Sequence, residues 1–177
     1  VYSHKPQLIK LKSKSTNTQM INRYFYGDTI GKFLGTPSSQ IIGILTSAHT
    51  TSFASLQGLQ TEAWKLEIQL LQDILQPYPQ GRIFFEYTIP RMGRRIDVVL
   101  LINGIVFLLE FKNYNENYTR HDIVQVWDYA LDLKNFHEES HNRIIVPILI
   151  ATEAVSTTIE YKPYDDCILS YFDKPKN

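Results

Sequence analysis

Residues 95–112 read RIDVVLLINGIVFLLEFK, and this stretch decides the fold. Two apolar runs with the composition of β-strands are joined by the dipeptide Asn103-Gly104. Both residues of that dipeptide tolerate positive φ, which favours a two-residue turn. We therefore predict that the two runs pair as neighbouring antiparallel strands.

The predicted hairpin brings three charged residues together. With a regular register, Ile102 pairs with Ile105. Asp97 then lies directly across from Glu110, and Lys112 shares a face with Glu110 because side chains alternate along a strand. Charges at the end of a buried strand need a partner, a metal ion or a chemical role. This pattern predicts a site for Mg²⁺ or Mn²⁺, where Lys112 orients or deprotonates a water molecule for attack on a phosphorus.

Hydrophobic periodicity predicts the other elements, in the order helix, three strands, helix, strand. The first long helix covers TEAWKLEIQLLQDIL (61–75), and the second covers 119–136. The other strands are RIFFEYTI (82–89), which stops at Pro90, and RIIVPILIAT (143–152), which is mostly buried. CILSYF (167–172) is predicted as the last edge strand. This order indicates a mixed α/β fold.

Each long helix is predicted to bury one apolar stripe. In the first helix, Glu67 falls inside that stripe. The second helix begins after Thr119, a predicted N-cap. The stripe residues are Trp64, Ile68, Leu71 and Leu75 in the first helix and Ile123, Trp127, Ala130 and Leu131 in the second.

Two short helices are predicted ahead of the first long one. GDTIGKFLG and TPSSQIIGIL each place a capping residue before an apolar helical pattern. The predicted caps are Asp28 for the first helix and Ser38 or Ser39 for the second. These helices form an N-terminal helical extension at residues 24–50.

Composition limits the classes of partner. The 177 residues include 18 basic and 18 acidic side chains, so a nucleic-acid-binding surface must be local. The single cysteine cannot form an internal disulfide, and the apolar runs are too short to span a membrane. We therefore expect a cytoplasmic protein with no membrane partner, folded as one domain at residues 20–177 behind a flexible leader at residues 1–19.

A local basic patch precedes the strand that carries Asp97. Arg91, Arg94 and Arg95 flank Gly93, and arginines in such a loop bind the phosphates of a nucleic-acid backbone. A solvated loop without a ligand is the alternative interpretation of the same residues.

A second motif points to different chemistry. Residues 137–141 read HEESH, which has the H-E-x-x-H pattern of zinc proteases. That site needs a well-formed helix, whereas this motif lies where the second long helix ends. The pattern therefore favours a polar helix end over a zinc site.

The spacing of the charged residues resembles the PD-(D/E)xK nuclease superfamily. Asp97 is followed by twelve residues, then Glu110, an apolar residue and Lys112, although the usual proline before the aspartate is replaced by Ile96. The resemblance implies a restriction-endonuclease-like sheet flanked by helices in the order αβββαβ, and hydrolysis of phosphodiester bonds in DNA with Mg²⁺ or Mn²⁺. The metal ligands it implies are Asp97, Glu110, the backbone carbonyl of Phe111, and Glu67. Gln125 and Tyr129 match the QxxxY motif of some branches, where they would orient the substrate or Lys112.

A closer resemblance covers residues 20 to about 155. RYFYGDTI, EAWKLEIQLLQDIL, IPRMGRRIDVVL, EFKN and QVWDYALDLKNFHEESH are similar to the N-terminal domain of bacterial ATP-binding proteins, in which a nuclease-like module precedes a helicase-like P-loop domain. This implies a helicase-linked role in DNA processing or defence. No GxxxxGK[ST] motif occurs in the 177 residues, so the chain is interpreted as either a fragment of such a protein or a stand-alone relative.

Several alternatives stay open at this point. A nuclease-fold module that binds nucleic acid or a protein without cutting fits the same motifs, and RNA is not excluded as substrate. Asp97 and Glu110 could instead form structural salt bridges with nearby basic residues. Glu62 is a weaker substitute for Glu67, and Glu86 is left outside the predicted ligand set.

Overall fold

A computed structural model describes residues 23–49, 54–155, 162–164 and 167–170. The predicted leader, residues 1–19, lies outside the described residues. The elements in chain order are β1 (Tyr26–Thr29), α1 (Ile30–Gly35), α2 (Ser38–Ala48), α3 (Ala54–Ile74), β2 (Arg82–Thr88), β3 (Arg95–Ile102), β4 (Ile105–Lys112), α4 (Arg120–Phe136), a 3-10 turn (Glu138–Ser140), β5 (Ile145–Ala151), β6 (Lys162–Pro163) and β7 (Leu169–Ser170).

Five strands form one mixed sheet in the order β1-β2-β3-β4-β5. The first three pairings are antiparallel, and β4 pairs with β5 in parallel. The crossover between these parallel strands contains α4, the usual way to connect parallel neighbours. The predicted mixed α/β class is confirmed. Among the described helices, none has both the length and the apolar character needed to cross a bilayer.

The sheet separates two hydrophobic clusters. Helices α1, α2 and α3 bury one face, where the predicted stripe of Trp64, Ile68, Leu71 and Leu75 is at most 4% exposed. Helix α4 covers the other face. Its buried positions are Asp122, Val126, Trp127, Tyr129, Ala130 and Leu133, whereas the predicted Ile123 and Leu131 are only half-buried. The helix is therefore rotated slightly from the predicted orientation.

The Asn103-Gly104 turn is confirmed by the backbone. Asn103 has φ 52° and Gly104 has φ 81°, which is the left-handed region that this turn requires. The register runs as predicted from the pair formed by Ile102 and Ile105 to the pair formed by Val98 and Leu109. The loop therefore determines which residues of the two central strands are opposite each other.

The predicted cross-strand pair of Asp97 and Glu110 is wrong, because the ladder ends one step earlier at Val98. The Asp97 carboxylate accepts a hydrogen bond from the backbone N–H of Phe111, with 2.8 Å between Oδ2 and N. A side chain thus takes the place of the backbone acceptor of a regular ladder. This contact with Phe111, rather than strand pairing, keeps the Asp97 carboxylate near Glu110.

The N-terminal segment differs from its prediction in three ways. It begins with strand β1, which extends the sheet by pairing with β2. Helix α1 is capped by Thr29 rather than Asp28, since the Thr29 side chain accepts from Lys32 N. Helix α2 follows Pro37 without a side-chain cap, although Ser38 is its first residue.

The C-terminal strands differ from their predictions. Strand β5 covers Ile145–Ala151 of the predicted RIIVPILIAT. Within CILSYF, β7 covers Leu169–Ser170 and pairs with β6 in a separate two-stranded sheet, while residues 171 and 172 lie outside the described residues. Ile168 contributes only an isolated parallel bridge to Ile145 of β5. Among the described residues, the central sheet therefore ends at β5 apart from this bridge.

We expect Gly104→Ala to destabilise the protein by about 1–2 kcal/mol, because side chains are disfavoured in the left-handed region. At φ 81° the added Cβ meets only Arg143, at 3.9 Å, so the cost reports the backbone alone. Gly43→Ala in the exposed part of α2 is the matched control and should stabilise by about 0.5–1 kcal/mol. Denaturant unfolding measures both, and destabilisation by the two substitutions alike would contradict this role of the turn.

Candidate active site

The predicted catalytic residues Glu110, Lys112, Gln125 and Tyr129 meet at the end of β4. Lys112 Nζ lies 3.1 Å from Glu110 Oε1 and 3.0 Å from Gln125 Oε1. Gln125 Nε2 donates to Glu110 Oε1 and to the Tyr129 hydroxyl oxygen, each at 2.8 Å. Gln125 and Tyr129 are four residues apart on α4 and share one helix face. The two elements therefore hold the lysine and the carboxylate in a continuous hydrogen-bond network.

Asp122 is a further member of this network that was not among the predicted site residues. Its Oδ1 lies 3.5 Å from Lys112 Nζ, while its Oδ2 accepts from the Thr119 hydroxyl at 2.6 Å. Burial alone would raise the pKa of Asp122, but the Thr119 hydrogen bonds and the Lys112 charge lower it. Asp122 occupies the third helical position after the cap, where an acidic residue completes a capping box, and that was the available signal.

Glu67 reaches the site from α3, on the other face of the sheet. It is 4% exposed and accepts a hydrogen bond from Asn113 Nδ2 at 3.2 Å. Glu62 is exposed and lies 3.9 Å from Lys65, so Glu67 is the acidic residue of this helix that faces inward. Asn113, which directly follows Lys112, was not among the predicted site residues. Its place in the EFKN stretch was the only sequence signal.

The carboxyl groups lie close enough to perturb one another. Burial, together with the charges of Glu86 and Glu110, raises the pKa of Glu67 from 4.5 to about 7, against the hydrogen bond from Asn113. Burial and the charges of Glu110 and Glu67 raise the pKa of Asp97 well above its usual value. Burial also raises the pKa of Glu110, although Lys112 opposes it. Negative charge is therefore disfavoured on Glu67, Asp97 and Glu110.

The pKa of Lys112 is shifted in the direction that favours its charged form. Burial alone would lower the pKa of Lys112, but the Glu110 carboxylate and the charges of Asp122 and Asp97 outweigh it and raise the pKa. Lys112 therefore keeps its proton at neutral pH. It can donate hydrogen bonds at this site more readily than it can accept a proton.

The available oxygen atoms fit a hard divalent cation. Glu110 Oε2 and Asn113 Oδ1 are buried and have no hydrogen-bond partner among the described residues. Such acceptors are costly unless a cation or water satisfies them. Within the described ranges, no three His, Cys, Asp or Glu side chains lie close enough together to hold one ion. The donor chemistry thus suits Mg²⁺ or Mn²⁺, although the ligand set is not drawn together.

The three predicted nucleic-acid-binding arginines have different environments. Arg94 Nη1 lies 3.6 Å from Asp128 and 3.5 Å from Asp132, both on α4. Arg95 Nε lies 3.4 Å from Glu86, and its guanidinium stacks on Phe25. Arg91 is exposed in the loop. Two of the three arginines are therefore already engaged by acidic side chains.

The HEESH segment does not form the helix that a zinc protease requires. Residues Glu138–Ser140 make a single 3-10 turn after the end of α4. His137 Nδ1 lies 2.7 Å from the Ser140 hydroxyl. Without α-helical spacing, the two histidines are not placed side by side on one face. This agrees with the polar helix end that the sequence favours.

We expect Glu67→Gln to change the pH dependence of stability in the metal-free protein. Because the pKa of Glu67 is raised in the folded protein, folding favours its protonated form. The stability that protonated Glu67 contributes is therefore complete below about pH 4.5 and is lost as pH rises through about 7. Between about pH 5 and pH 8 the wild type should lose about 2–3 kcal/mol relative to Glu67→Gln.

Denaturant unfolding across that pH range measures this difference. Glu62→Gln is the control, because Glu62 is exposed on the same helix. Parallel pH curves for wild type and Glu67→Gln would show that Glu67 titrates normally in the folded protein.

Comparison with known proteins gives no relative for this site. The chain matches no protein-family model, no curated protein and no solved structure. The chemistry of the site is therefore inferred from its own geometry.

Proposed function

We propose that the protein is a nuclease of the PD-(D/E)xK type that hydrolyses phosphodiester bonds in DNA with Mg²⁺ or Mn²⁺. The observation that carries this proposal is the convergence of Asp97, Glu110 and Lys112 where β3 and β4 separate. There Asp97 bonds to Phe111 N, Lys112 bonds to Glu110, and Glu110 Oε2 is buried without a partner among the described residues. A buried acidic site with a protonated lysine suits a phosphate group and a divalent cation.

The order of the elements supports the proposed fold family. From α3 onward the chain runs α3, β2, β3, β4, α4 and β5. This is the order αβββαβ that the resemblance implies for a restriction-endonuclease-like domain. The proposed ligands and the proposed lysine all lie on these core elements, so the assignment of fold and the assignment of site depend on the same residues.

Asp97, Glu110 and Glu67 would hold the metal ion together with the backbone carbonyl of Phe111. When bound, such an ion stabilises negative charge on phosphate oxygens and lowers the pKa of a coordinated water. The protein contributes carboxyl groups on Glu67 and Glu110 that are buried next to the apolar clusters on the two faces of the sheet. Charge interactions are stronger in that environment than in water.

Lys112 acts in this proposal as a hydrogen-bond donor that positions the attacking water or a phosphate oxygen. Its proton is retained because the neighbouring acids raise its pKa. Gln125 accepts from Lys112 and donates to Tyr129, so α4 limits the directions in which the ammonium group can point. Gln125 and Tyr129 are thus positioning residues for Lys112.

The substrate would be held by its phosphates. Arg91 is exposed, and Arg94 lies in the same approach to β3, where exchange of its acidic partners for phosphates would allow binding. Phosphate contacts do not distinguish DNA from RNA, and RNA stays an alternative substrate. A P-loop helicase-like domain is the proposed partner, and the cytoplasm is the proposed location.

We expect Asp97→Ala and Glu110→Ala to abolish Mn²⁺ binding and to lower DNA cleavage by at least roughly 10²-fold. Lys112→Met should lower cleavage similarly while Mn²⁺ still binds, because it removes the ammonium donor and leaves every proposed metal ligand in place. Lys65→Met is the matched control, since Lys65 is exposed on α3 and should leave both properties unchanged.

Calorimetric titration with Mn²⁺ and cleavage of linear, circular and single-stranded DNA test these expectations in parallel, with RNA as an additional substrate. Metal binding without cleavage of any substrate would indicate a module that binds nucleic acid or a protein without cutting. No metal binding by the wild type would show that the acidic cluster is structural.

A further inference from the structure

Glu86 has an unusual backbone conformation for a residue in the middle of a strand. It lies in β2 with φ 54°, in the left-handed region that non-glycine residues rarely adopt. The residue is 6% exposed. A strained residue of this kind persists only where the surrounding structure holds it in place, and such residues cluster at functional sites.

The strand pairing shows what this conformation does. On either side of Glu86, Phe85 pairs with Val98 and Tyr87 pairs with Ile96, whereas Glu86 and Asp97 form no ladder pair. Residues two apart in a regular strand share a face. Here the first pair packs in the cluster under α3, while the second pair packs in the cluster under α4. In both strands the regular alternation of side chains therefore breaks at the same point, so that the faces exchange beyond it. The break lies at Glu86 in β2 and at Asp97 in β3, and we call it the turnover of the two strands.

The Glu86 carboxylate is held from three sides. Trp64 Nε1 donates to Oε1 at 2.8 Å, and Gln60 Nε2 lies 3.4 Å from the same oxygen. Arg95 Nε lies 3.4 Å from Oε2. Both carboxylate oxygens are thus occupied by donors from α3 and from the beginning of β3. These contacts compensate for the strained backbone and for the burial of the charge.

The turnover at Asp97 directs its carboxylate toward β4. On a regular ladder Asp97 would pair with Glu86 on one side and with Glu110 on the other. Instead the Asp97 side chain reaches Phe111 N at 2.8 Å. The contacts of Glu86 with Trp64 and Arg95 hold the turnover in β2, and the contact of Asp97 with Phe111 holds it in β3.

We infer that Glu86 is a positioning residue, whose anchoring by Trp64 and Arg95 holds the paired turnover of β2 and β3 and so places the Asp97 carboxylate against Phe111 N. The consequence for metal affinity rests on the function proposed above. The consequence for the bond between Asp97 and Phe111 does not. The same contacts assign Arg95 to the scaffold of the site rather than to the binding of nucleic acid.

Hydrogen exchange of the Phe111 amide, resolved by NMR, tests this inference directly. Glu86→Ala removes the anchored carboxylate and should speed Phe111 exchange at least about tenfold and weaken Mn²⁺ binding about 10–100-fold. Glu86→Gln keeps an acceptor for Trp64 Nε1 and should retain most of the protection and most of the affinity. Ile83→Val is the matched control, because it mildly destabilises the same strand away from the turnover.

Each outcome decides the inference. Loss of Phe111 protection in Glu86→Ala, with recovery in Glu86→Gln and no loss in Ile83→Val, supports it. Unchanged Phe111 exchange in folded Glu86→Ala overturns it, and so does an equal loss in Ile83→Val, which would reflect general destabilisation. If the wild type binds no Mn²⁺, the proposed function fails, and Phe111 exchange alone still decides the role of Glu86.

Discussion

The hydrogen bond from the Phe111 backbone N–H to the Asp97 carboxylate joins the two central strands where their ladder ends. A bond to a charged acceptor is roughly twice as strong as a neutral one, so a single side chain can replace a backbone acceptor here. The bond keeps Asp97 beside Glu110 although the two residues do not pair. Helices α3 and α4, which both contribute residues to the site, pack against β3 and β4. This bond holds the ends of those two strands together.

The second constraint is the balance of charge around Lys112. Its ammonium group contacts Glu110, Asp122 and Gln125, whereas Glu67 and Asp97 depend on an amide and a backbone N–H. A buried charge that loses its partner is destabilising, so Lys112 stabilises the buried Glu110 carboxylate in addition to its proposed role in the chemistry. Burial is the main reason that the pKa values of Glu67, Asp97 and Glu110 are raised, and the charges of neighbouring acids add to it, so these three groups have a shortage of compensating positive charge. A cation would correct that shortage.

The site residues are carried by regular elements that pack on the core. Glu67 lies within the apolar stripe of α3, and Gln125 lies on α4, whose Trp127 is buried in the opposite cluster. Glu110 and Lys112 end a strand that is paired on both sides. Side chains on such elements lose little further freedom when a ligand binds. The core therefore limits the motion of the groups proposed to hold the metal and the water.

The local patterns predicted much of this arrangement. The Asn103-Gly104 turn determined the register of the central hairpin, and helical spacing placed Glu67 in a buried stripe and Gln125 beside Tyr129. Asp122 and Asn113 were missed because nothing in their immediate sequence shows that Lys112 and Glu67 are their partners. Strand β1 was missed because it is short and its pairing partner, β2, lies more than fifty residues away.

By itself the sequence determined the main helices, the central hairpin and the set of acidic and basic residues at its end, because these follow from periodicity and turn chemistry within a few residues. Only the tertiary structure decided that β2 and β3 turn over together at Glu86 and Asp97. That feature depends on contacts from Trp64 on α3 and from Arg95 on the neighbouring strand. Such contacts outweigh the local preference for a regular strand, and no pattern along the chain reveals them.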